Sequence, residues 1–255
     1  MTYCIGMLIE AGLVIVADTR TNAGIDNVSR YRKLHLLASG PERMVAAATA
    51  GNLSITQSAL GLLAEGLPNP ETGEIEKVGD ATSMYRVAQL VGRALHETRD
   101  SVVEALEADN VSASVSMLVA GRIGDERLRL FQIYGAGNFI ECQRDRPYLQ
   151  IGEAKYGRPI VDRALTWHTS LDEALKIALI SFDSTIRSNL AVGPPLDLLS
   201  ISSDAGSRVK HYRIESGDPY FTDLSERWSI ALNHARLEIP QPPYFLHPDE
   251  IEAAD

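Results

Sequence analysis

The feature that most constrains the fold of this chain is a pair of apolar runs at its N-terminus. Residues 3–9 and 13–17 are rich in aliphatic side chains, and a short Glu-Ala-Gly segment at 10–12 separates them. Two such runs around a glycine-containing turn predict a β-hairpin. The hairpin would return the chain to its start, so we expect Asp18, which follows the second run, to lie near Thr2.

Thr2 carries chemistry that depends on how the N-terminus is processed. Met1 precedes a small side chain, so we expect its removal, which would leave Thr2 with a free α-amine. A threonine hydroxyl is a weak nucleophile, but an α-amine with a reference pKa of about 7.7–8.0 is a suitable base. Lys33 opens the next apolar run, 34–38. Its ammonium would lower the pKa of nearby groups, and Asp18 would hold the ammonium in place.

The sequence resembles that of a proteasome-type β subunit, most specifically over its first 37 residues. That stretch reads MTYCIGMLIEAGLVIVADTRTNAGIDNVSRYRKLHLL, and further similarity lies at 49–52, 151–157, 182–202 and 227–235. The chain resembles in particular Anbu, the bacterial ancestral β-subunit branch, which is related to HslV. The resemblance implies an α+β fold, the four-layer αββα sandwich of N-terminal nucleophile hydrolases, in which two antiparallel sheets are flanked by helices.

The same resemblance implies roles for individual residues. Thr2 would be the catalytic nucleophile, Asp18 the partner of the lysine, and Lys33 the electrostatic activator. The backbone N–H of Ala48 would be the oxyanion donor, at a position where proteasomes usually have glycine. Since a backbone donor does not require a particular side chain, alanine is compatible with that role.

Two segments depart from the family pattern, at three positions around the threonine amine. Glu153 stands where proteasome subunits and HslV carry a serine. Ser188 and Ala191 stand where they carry an Asp-x-x-Ser pair. Glu153 would replace the lost carboxylate, but a carboxylate there would raise the pKa of the amine and make it a poorer base at pH 7. We therefore expect the triad to be present but the residues that support it to be altered, with Glu153 and Ser188 among them. Its activity on peptide substrates should be weak or narrow in specificity.

Three functions follow from these residues. The first is an N-terminal-threonine peptidase that cleaves peptide substrates through an acyl-enzyme on Thr2, within a homo-oligomer that is ring-like or an open spiral. The second is a self-assembling proteasome-like scaffold whose peptidase site is vestigial. The third is an N-terminal nucleophile amidase that acts on a small amide. The sequence leaves open the substrate, the ring size and any unfoldase partner, and it indicates no cofactor.

Composition excludes some other classes. The net charge of −10 and a pI near 5.1 argue against a nucleic-acid partner, which needs a basic face. No run of eighteen apolar residues predicts a membrane span, and the lack of a signal sequence leads us to expect a cytoplasmic protein. Histidine spacing predicts no metal site. Cys4 and Cys142 are far apart in sequence, and we expect both to be reduced, buried thiols.

We expect one domain over residues 1–255, with an extended proline-rich tail at about 238–255. Residues 244–246, Tyr-Phe-Leu, would give that tail an apolar contact with a neighbouring subunit. Asn52 predicts the N-cap of a helix to residue 64, and the glycine- and proline-containing segment 66–81 predicts a loop. The remaining predicted helices lie at 82–108, capped by Thr82, at 158–166, and at 170–190, capped by Ser170 with Glu173 three residues on. The remaining predicted strands lie at 44–50, 112–123, 128–134, 196–202 and 208–214.

Overall fold

A computed structural model gives the fold of residues 1–22, 28–204, 209–242 and 244. The chain divides into two compact units, Met1–Ser216 and Gly217–Asp255. The first unit holds every strand of the described residues and the first five helices. The expectation of a single domain over the whole chain stays a prediction.

Within the described part of the first unit, ten strands form two five-stranded sheets in which every pair is antiparallel. The first sheet has the order β12-β1-β2-β13-β14, and the second has the order β11-β10-β9-β6-β5. Two short ribbons, β3–β4 and β7–β8, lie outside the sheets. The strands are β1 Tyr3–Ile9, β2 Gly12–Asp18, β3 Arg20–Asn22, β4 Val28–Arg30, β5 Leu34–Gly40, β6 Arg43–Gly51, β7 Leu67–Pro68, β8 Ile75–Glu76, β9 Val115–Ile123, β10 Arg129–Tyr134, β11 Phe139–Glu141, β12 Tyr148–Gly152, β13 Leu196–Ser202 and β14 Lys210–Ile214.

Helices of the first unit cover the outer faces of its sheets. They are α1 Leu53–Glu65, α2 Met84–Asp100, α3 Val103–Ala108, α4 Arg158–Ala164 and α5 Leu171–Ser188. The second unit contains α6 Pro219–Glu238. Helices α1 and α2 pack on the second sheet, and α5 packs on β1 and β2 of the first. On that side the rings of Tyr3 and Phe182 lie 4.5 Å apart. The order of layers is therefore helix, sheet, sheet, helix, and the expected αββα sandwich is confirmed.

The inner faces of the two sheets form one core. Every second residue of a strand contributes its side chain to this core. Examples are Leu13 and Ile15 in β2, and Leu118 and Ala120 in β9; Cys4 contributes from β1. A side-chain period of two sends alternate residues to the same face of a strand, so burying one face against the other sheet removes these residues from water. The N-terminal hairpin is thus anchored on both of its faces, which holds Thr2 and Asp18 at one end of a rigid sheet.

Most predicted elements are confirmed within a few residues. The Asn52 side chain accepts hydrogen bonds from the N–H groups of Ser54 and Ile55, which makes it the N-cap of α1. The hydroxyl of Ser170 likewise accepts the N–H of Glu173 at 3.3 Å at the start of α5. The segment 66–81 is more ordered than a plain loop, because it forms the ribbon β7–β8 and a 3₁₀ turn at Val78–Asp80.

The long helix expected at 82–108 is wrong in one respect, since it is two helices, and Ser83 rather than Thr82 caps the first. The break falls at Ser101 and Val102. The Ser101 hydroxyl donates to the Thr98 carbonyl at 2.9 Å and competes with the backbone, and β-branched Val102 has a lower helix propensity. The sequence reading also missed α6. Residues 243 and 245–255 of the expected tail lie outside the described residues.

Across the helices that the structure describes, none is long and apolar enough to span a membrane.

Candidate active site

The register of the N-terminal hairpin places Asp18 beside the start of β1. Cys4 pairs with Ala17 across the two strands, so Asp18 lies next to the residue before Cys4. The backbone N–H of Tyr3 donates to Asp18 Oδ1 at 3.0 Å. Thr2, Asp18 and Lys33 are all buried, and the structure brings the three predicted residues to one point.

Lys33 reaches this point from the other sheet. It precedes β5, and its carbonyl accepts the N–H of Thr49 at 2.9 Å, which attaches it to β6. Its Nζ contacts Asp18 Oδ1 at 2.7 Å and donates to the carbonyl of Arg20 at 2.5 Å. With only 4% of its side chain exposed, the ammonium has exchanged water for fixed protein oxygens.

Asp18 is the anionic half of this ion pair. Burial is the largest influence on its carboxyl and raises its pKa, while the charge of Lys33 and the hydrogen bonds from Lys33 and Tyr3 act in the opposite direction. Oδ2 has no hydrogen-bond partner of good geometry among the described residues, although the N–H of Gly193 is close enough to help stabilise the charge. Replacing either residue with a neutral one would leave the charge of the other buried and unpaired.

Lys33 also contacts the peptide group that joins Met1 to Thr2. Its Nζ lies 3.5 Å from the carbonyl oxygen of Met1, whose side chain is mostly exposed. The ammonium is therefore one peptide group from the nitrogen that removal of Met1 would free. The carbonyl of Thr2 is held separately, because it accepts the N–H of Glu153 at 2.6 Å. A Cβ at Gly152 would lie 2.0 Å from that carbonyl oxygen, so only glycine fits there.

Ala48 lies inside β6 and is fully buried. It pairs with Leu34 of β5 on one side and Leu118 of β9 on the other. The following residue, Thr49, is the one whose N–H binds the Lys33 carbonyl. Ala48 is thus adjacent in the sheet to the strand that begins directly after Lys33, and its role as an oxyanion donor stays a prediction.

Of the two predicted supporting residues, Glu153 is buried beside Thr2 and Ser188 is exposed at the end of α5. The carboxylate of Glu153 accepts the side-chain amide of Asn189 at 3.1 Å. It also accepts the N–H of Lys155 at 3.4 Å, and the exposed Lys155 ammonium lies 3.9 Å away. Asn189 is the residue that sequence comparison passed over, although it directly follows Ser188 in the segment that departs from the family pattern.

Two side chains that the sequence did not indicate bind the segment 189–195 to the site by hydrogen bonds. Thr19 Oγ1 donates to the Pro195 carbonyl at 2.8 Å. The Arg20 guanidinium donates to the Leu190 carbonyl at 2.8 Å, while the Arg20 carbonyl binds Lys33. The only sequence signal for either contact was the position of both residues directly after Asp18.

Both cysteines are buried, and neither forms a disulfide within the residues that the structure describes. Burial raises the pKa of the Cys4 thiol above its ordinary range and that of Cys142 to about 12. Thiols in that state are poor nucleophiles at neutral pH. Over the same described ranges, no group of three or more His, Cys, Asp or Glu side chains is arranged to hold a metal ion.

The fold is that of a proteasome-like N-terminal nucleophile protein. Three solved structures are similar over nearly the whole chain. The Anbu (ancestral β-subunit) structure from Yersinia bercovieri is 41% identical, with a TM-score of 0.83 over 94% of this chain and 99% of that one. Anbu from Hyphomicrobium sp. strain MC1 is 42% identical, with a TM-score of 0.81 over 94% and 99%.

The third structure is described as a helical assembly of the Anbu complex from Pseudomonas aeruginosa. It is 40% identical, with a TM-score of 0.85 over 96% of this chain and 100% of that one. No protein-family model and no curated protein sequence matches the chain. Identity of 40–42% over almost full length is decisive, and the chain belongs to the Anbu family.

Proposed function

We propose that this protein is an N-terminal-threonine peptidase of proteasome type, in which Thr2 becomes the nucleophile after Met1 is removed. The single observation that supports this function is the buried ion pair of Lys33 and Asp18, 2.7 Å apart, next to the peptide bond that processing would cleave. A structural lysine at a strand end would ordinarily be solvated. Burying one against the N-terminal residues costs desolvation free energy. Buried ionisable groups of this kind are concentrated at functional sites.

In the proposed reaction the α-amine of Thr2 takes the proton of its own hydroxyl, and the oxygen attacks the carbonyl carbon of a peptide bond. The ammonium of Lys33 keeps the amine unprotonated at neutral pH, because a nearby positive charge disfavours a second one. Asp18 acts through Lys33 and holds its position. The leaving amine takes the proton, and water then hydrolyses the ester on Thr2.

The scaffold function remains the second candidate, and the surroundings of Glu153 favour it. The carboxylate beside Thr2 would stabilise the protonated form of the amine and oppose Lys33. Its partners are Asn189 and Lys155. A weak peptidase and a vestigial site both accord with this arrangement, so the chemistry of Thr2 itself has to be measured.

We further propose that the protein is a homo-oligomer without strict ring closure. The support is the helical assembly of the Pseudomonas aeruginosa relative, which is 40% identical. Repeating head-to-tail contacts close into a ring only when their rotation divides a full turn, and otherwise they give a helix or spiral. The expected products are large particles rather than monomers, which light scattering measures directly.

The test of the catalytic function is intact mass spectrometry before and after treatment with a peptide epoxyketone. The expected result is loss of one methionine and a covalent adduct on the wild-type protein, with no adduct on Thr2→Ala. A wild-type protein that keeps Met1 while folded and assembled would overturn the catalytic proposal and leave the scaffold function. An adduct without turnover of any peptide library, but with turnover of small amides, would identify an amidase.

A further inference from the structure

Tyr3 directly follows the candidate nucleophile, and its side chain has no exposure to solvent. Its ring packs on Phe182 of α5, so it lies on the outer face of the first sheet. The ring ends in a hydroxyl group, which costs free energy in a buried position unless it is hydrogen-bonded. A phenylalanine would fill nearly the same space without that cost. The contacts of the hydroxyl therefore show what the tyrosine adds.

Two side chains from distant parts of the chain bind this hydroxyl. Gln150 Nε2 donates to the phenolic oxygen at 2.5 Å, and Ser181 Oγ lies 3.1 Å from it. The Ser181 hydroxyl donates its only proton to the Ala178 carbonyl at 2.6 Å, so it accepts the proton of Tyr3. The result is one directed chain of hydrogen bonds from Gln150 through Tyr3 to α5.

The hydroxyl thereby joins the two elements that lead to the carboxylate–amide contact beside Thr2. Gln150 lies in β12, three residues before Glu153, and Ser181 lies in α5, eight residues before Asn189. At the ends of these elements Glu153 accepts the Asn189 amide at 3.1 Å. The chain of hydrogen bonds and this contact are thus two links between the same pair of segments.

The loop after β12 also packs against the hydroxyl. A Cβ at Gly157 would lie 2.6 Å from the phenolic oxygen, so a larger residue there would displace the loop or the ring. Gln150 also borders a cleft of about 340 Å³, which Ala154 helps to line. Without the hydroxyl, the Gln150 amide would lose its acceptor and would be free to turn into this cleft. The loop that carries Glu153 would then lose one of its fixed points.

We propose that Tyr3 is a positioning residue for the Thr2 amine. Its hydroxyl holds the ends of β12 and α5 in the arrangement that places the Glu153 carboxylate beside Thr2, and so sets how readily the amine binds a proton. The inference rests on the proposed function, because it concerns the base of the same reaction. It assigns the control of that base to a fully buried side chain that acts through Glu153.

The other charged groups near the amine do not depend on this hydroxyl. Lys33 binds Asp18 at 2.7 Å, and Asp18 accepts the backbone N–H of Tyr3, which a phenylalanine would keep. Lys155 is mostly exposed, 3.9 Å from Glu153. Burial raises the pKa of the Tyr3 phenol, so the hydroxyl stays protonated throughout the range in which an α-amine titrates. A change in the pKa of the amine on removal of the hydroxyl therefore reports the position of Glu153 rather than a charge on the tyrosine.

Competitive labelling of the N-terminal amine tests this role without relying on peptidase activity. The full chain is released from a fusion protein so that Thr2 is its first residue, and acetylation by acetic anhydride is followed by mass spectrometry over about pH 5–10. Glu153→Gln should lower the pKa of the amine, because it removes a negative charge that favours the ammonium. Tyr3→Phe should lower it by at least half as much, and the double variant should lie no lower than Glu153→Gln alone.

Two further variants separate positioning from general loosening of the fold. Ser181→Ala breaks the same chain of hydrogen bonds from the α5 side and should also lower the pKa of the amine. Tyr148→Phe is the matched control. The Tyr148 hydroxyl likewise has one donor, Arg146 at 3.0 Å, and one acceptor, Asp162, but it joins β12 to α4 and does not reach α5. Its removal should leave the pKa of the amine unchanged, with a loss of thermal stability similar to that of Tyr3→Phe.

The outcomes separate this role from the proposed function. An unchanged pKa in Tyr3→Phe, a shift that adds to that of Glu153→Gln, or an equal shift in Tyr148→Phe would each overturn the positioning role and leave the proposed function intact. Failure of the proposed function appears separately, as retention of Met1 or lack of an epoxyketone adduct in the wild-type protein. Since the labelling uses a chain that already begins at Thr2, that failure would not by itself change the pKa values.

Discussion

Asp18 and Glu153 are both buried carboxylates, and both residues bind the start of the chain: Asp18 Oδ1 accepts the N–H of Tyr3, and the N–H of Glu153 donates to the Thr2 carbonyl. Their partners differ. Asp18 faces the ammonium of Lys33, which is itself buried and contacts it at 2.7 Å. Glu153 faces a neutral amide, Asn189, and a lysine whose side chain is 78% exposed at 3.9 Å.

Because of this difference, we expect the stability of the fold to depend more on the ion pair of Asp18 than on the contacts of Glu153. Removing one member of a buried ion pair leaves the charge of the other uncompensated, whereas removing the neutral amide of Asn189 takes only one hydrogen-bond donor from Glu153 and leaves no opposite charge unpaired. The Lys33–Asp18 pair also joins two sheets, while the Glu153–Asn189 contact joins two loops. We therefore expect perturbation of the first pair to change both stability and chemistry strongly, and perturbation of the second to change mainly the chemistry, with only a small loss of stability.

The largest effect is expected for Lys33→Ala. Turnover of any confirmed substrate should fall about 10²-fold or more, the scale of an acid–base contribution. The free energy of unfolding should fall by about 3–5 kcal/mol, because Asp18 would remain buried and unpaired. Kinetics and urea unfolding measure the two effects. In the matched double variant Lys33→Met with Asp18→Leu, much of the stability should return while turnover stays low. Unchanged turnover in Lys33→Ala would reject the assignment.

A smaller effect is expected for Asn189→Ala. The substitution removes the amide donor to Glu153 and the acceptor for the N–H of Ala191, contacts of 3.1 and 3.0 Å. Partly exposed hydrogen bonds contribute modestly, so the unfolding free energy should fall by about 1 kcal/mol. Chemical denaturation measures the loss, and Ser188→Ala on the neighbouring exposed residue is the control. A loss as large as that of Lys33→Ala would contradict the contrast between the two pairs.

Glu153→Gln should change the pH profile more than the stability. Losing the carboxylate removes a group that favours the protonated amine of Thr2, so the pKa of that amine falls and the acidic limb of kcat/KM moves to lower pH. Lys33→Ala should move the same limb to higher pH, because it removes a positive charge. Shifts of both variants in the same direction would show that Glu153 does not act on the amine.

The smallest effect is expected from thiol reagents. Since burial raises the pKa of both cysteine thiols, iodoacetamide at pH 8 should label neither in the native protein and should leave turnover unchanged. Mass spectrometry should show two labels only after unfolding in denaturant. Native labelling with loss of turnover would identify a sulfur nucleophile in place of Thr2.

Most strands and helices of the sandwich could be predicted from the sequence, because the burial pattern of each element is present in its own residues. The structure confirms strands at the runs 3–9 and 13–17. It also confirms helices that begin after the caps Asn52 and Ser170. The break at Ser101 was not readable, since the amphipathic pattern continues across it. Helix α6 was missed because its apolar residues lie on several sides rather than in one stripe.

By itself the sequence determined the alternation of strands and helices, the N-terminal hairpin, and the identity of Thr2, Asp18 and Lys33 as a candidate set. Only the tertiary structure decided that Lys33 and Asp18 form a buried pair 2.7 Å apart, that Asn189 donates a hydrogen bond to Glu153, and that Ser188 is exposed. The physical reason is the separation in sequence between the residues that interact. Periodic burial is recorded in neighbouring residues, whereas contacts between residues far apart in the chain depend on how the two sheets close on each other.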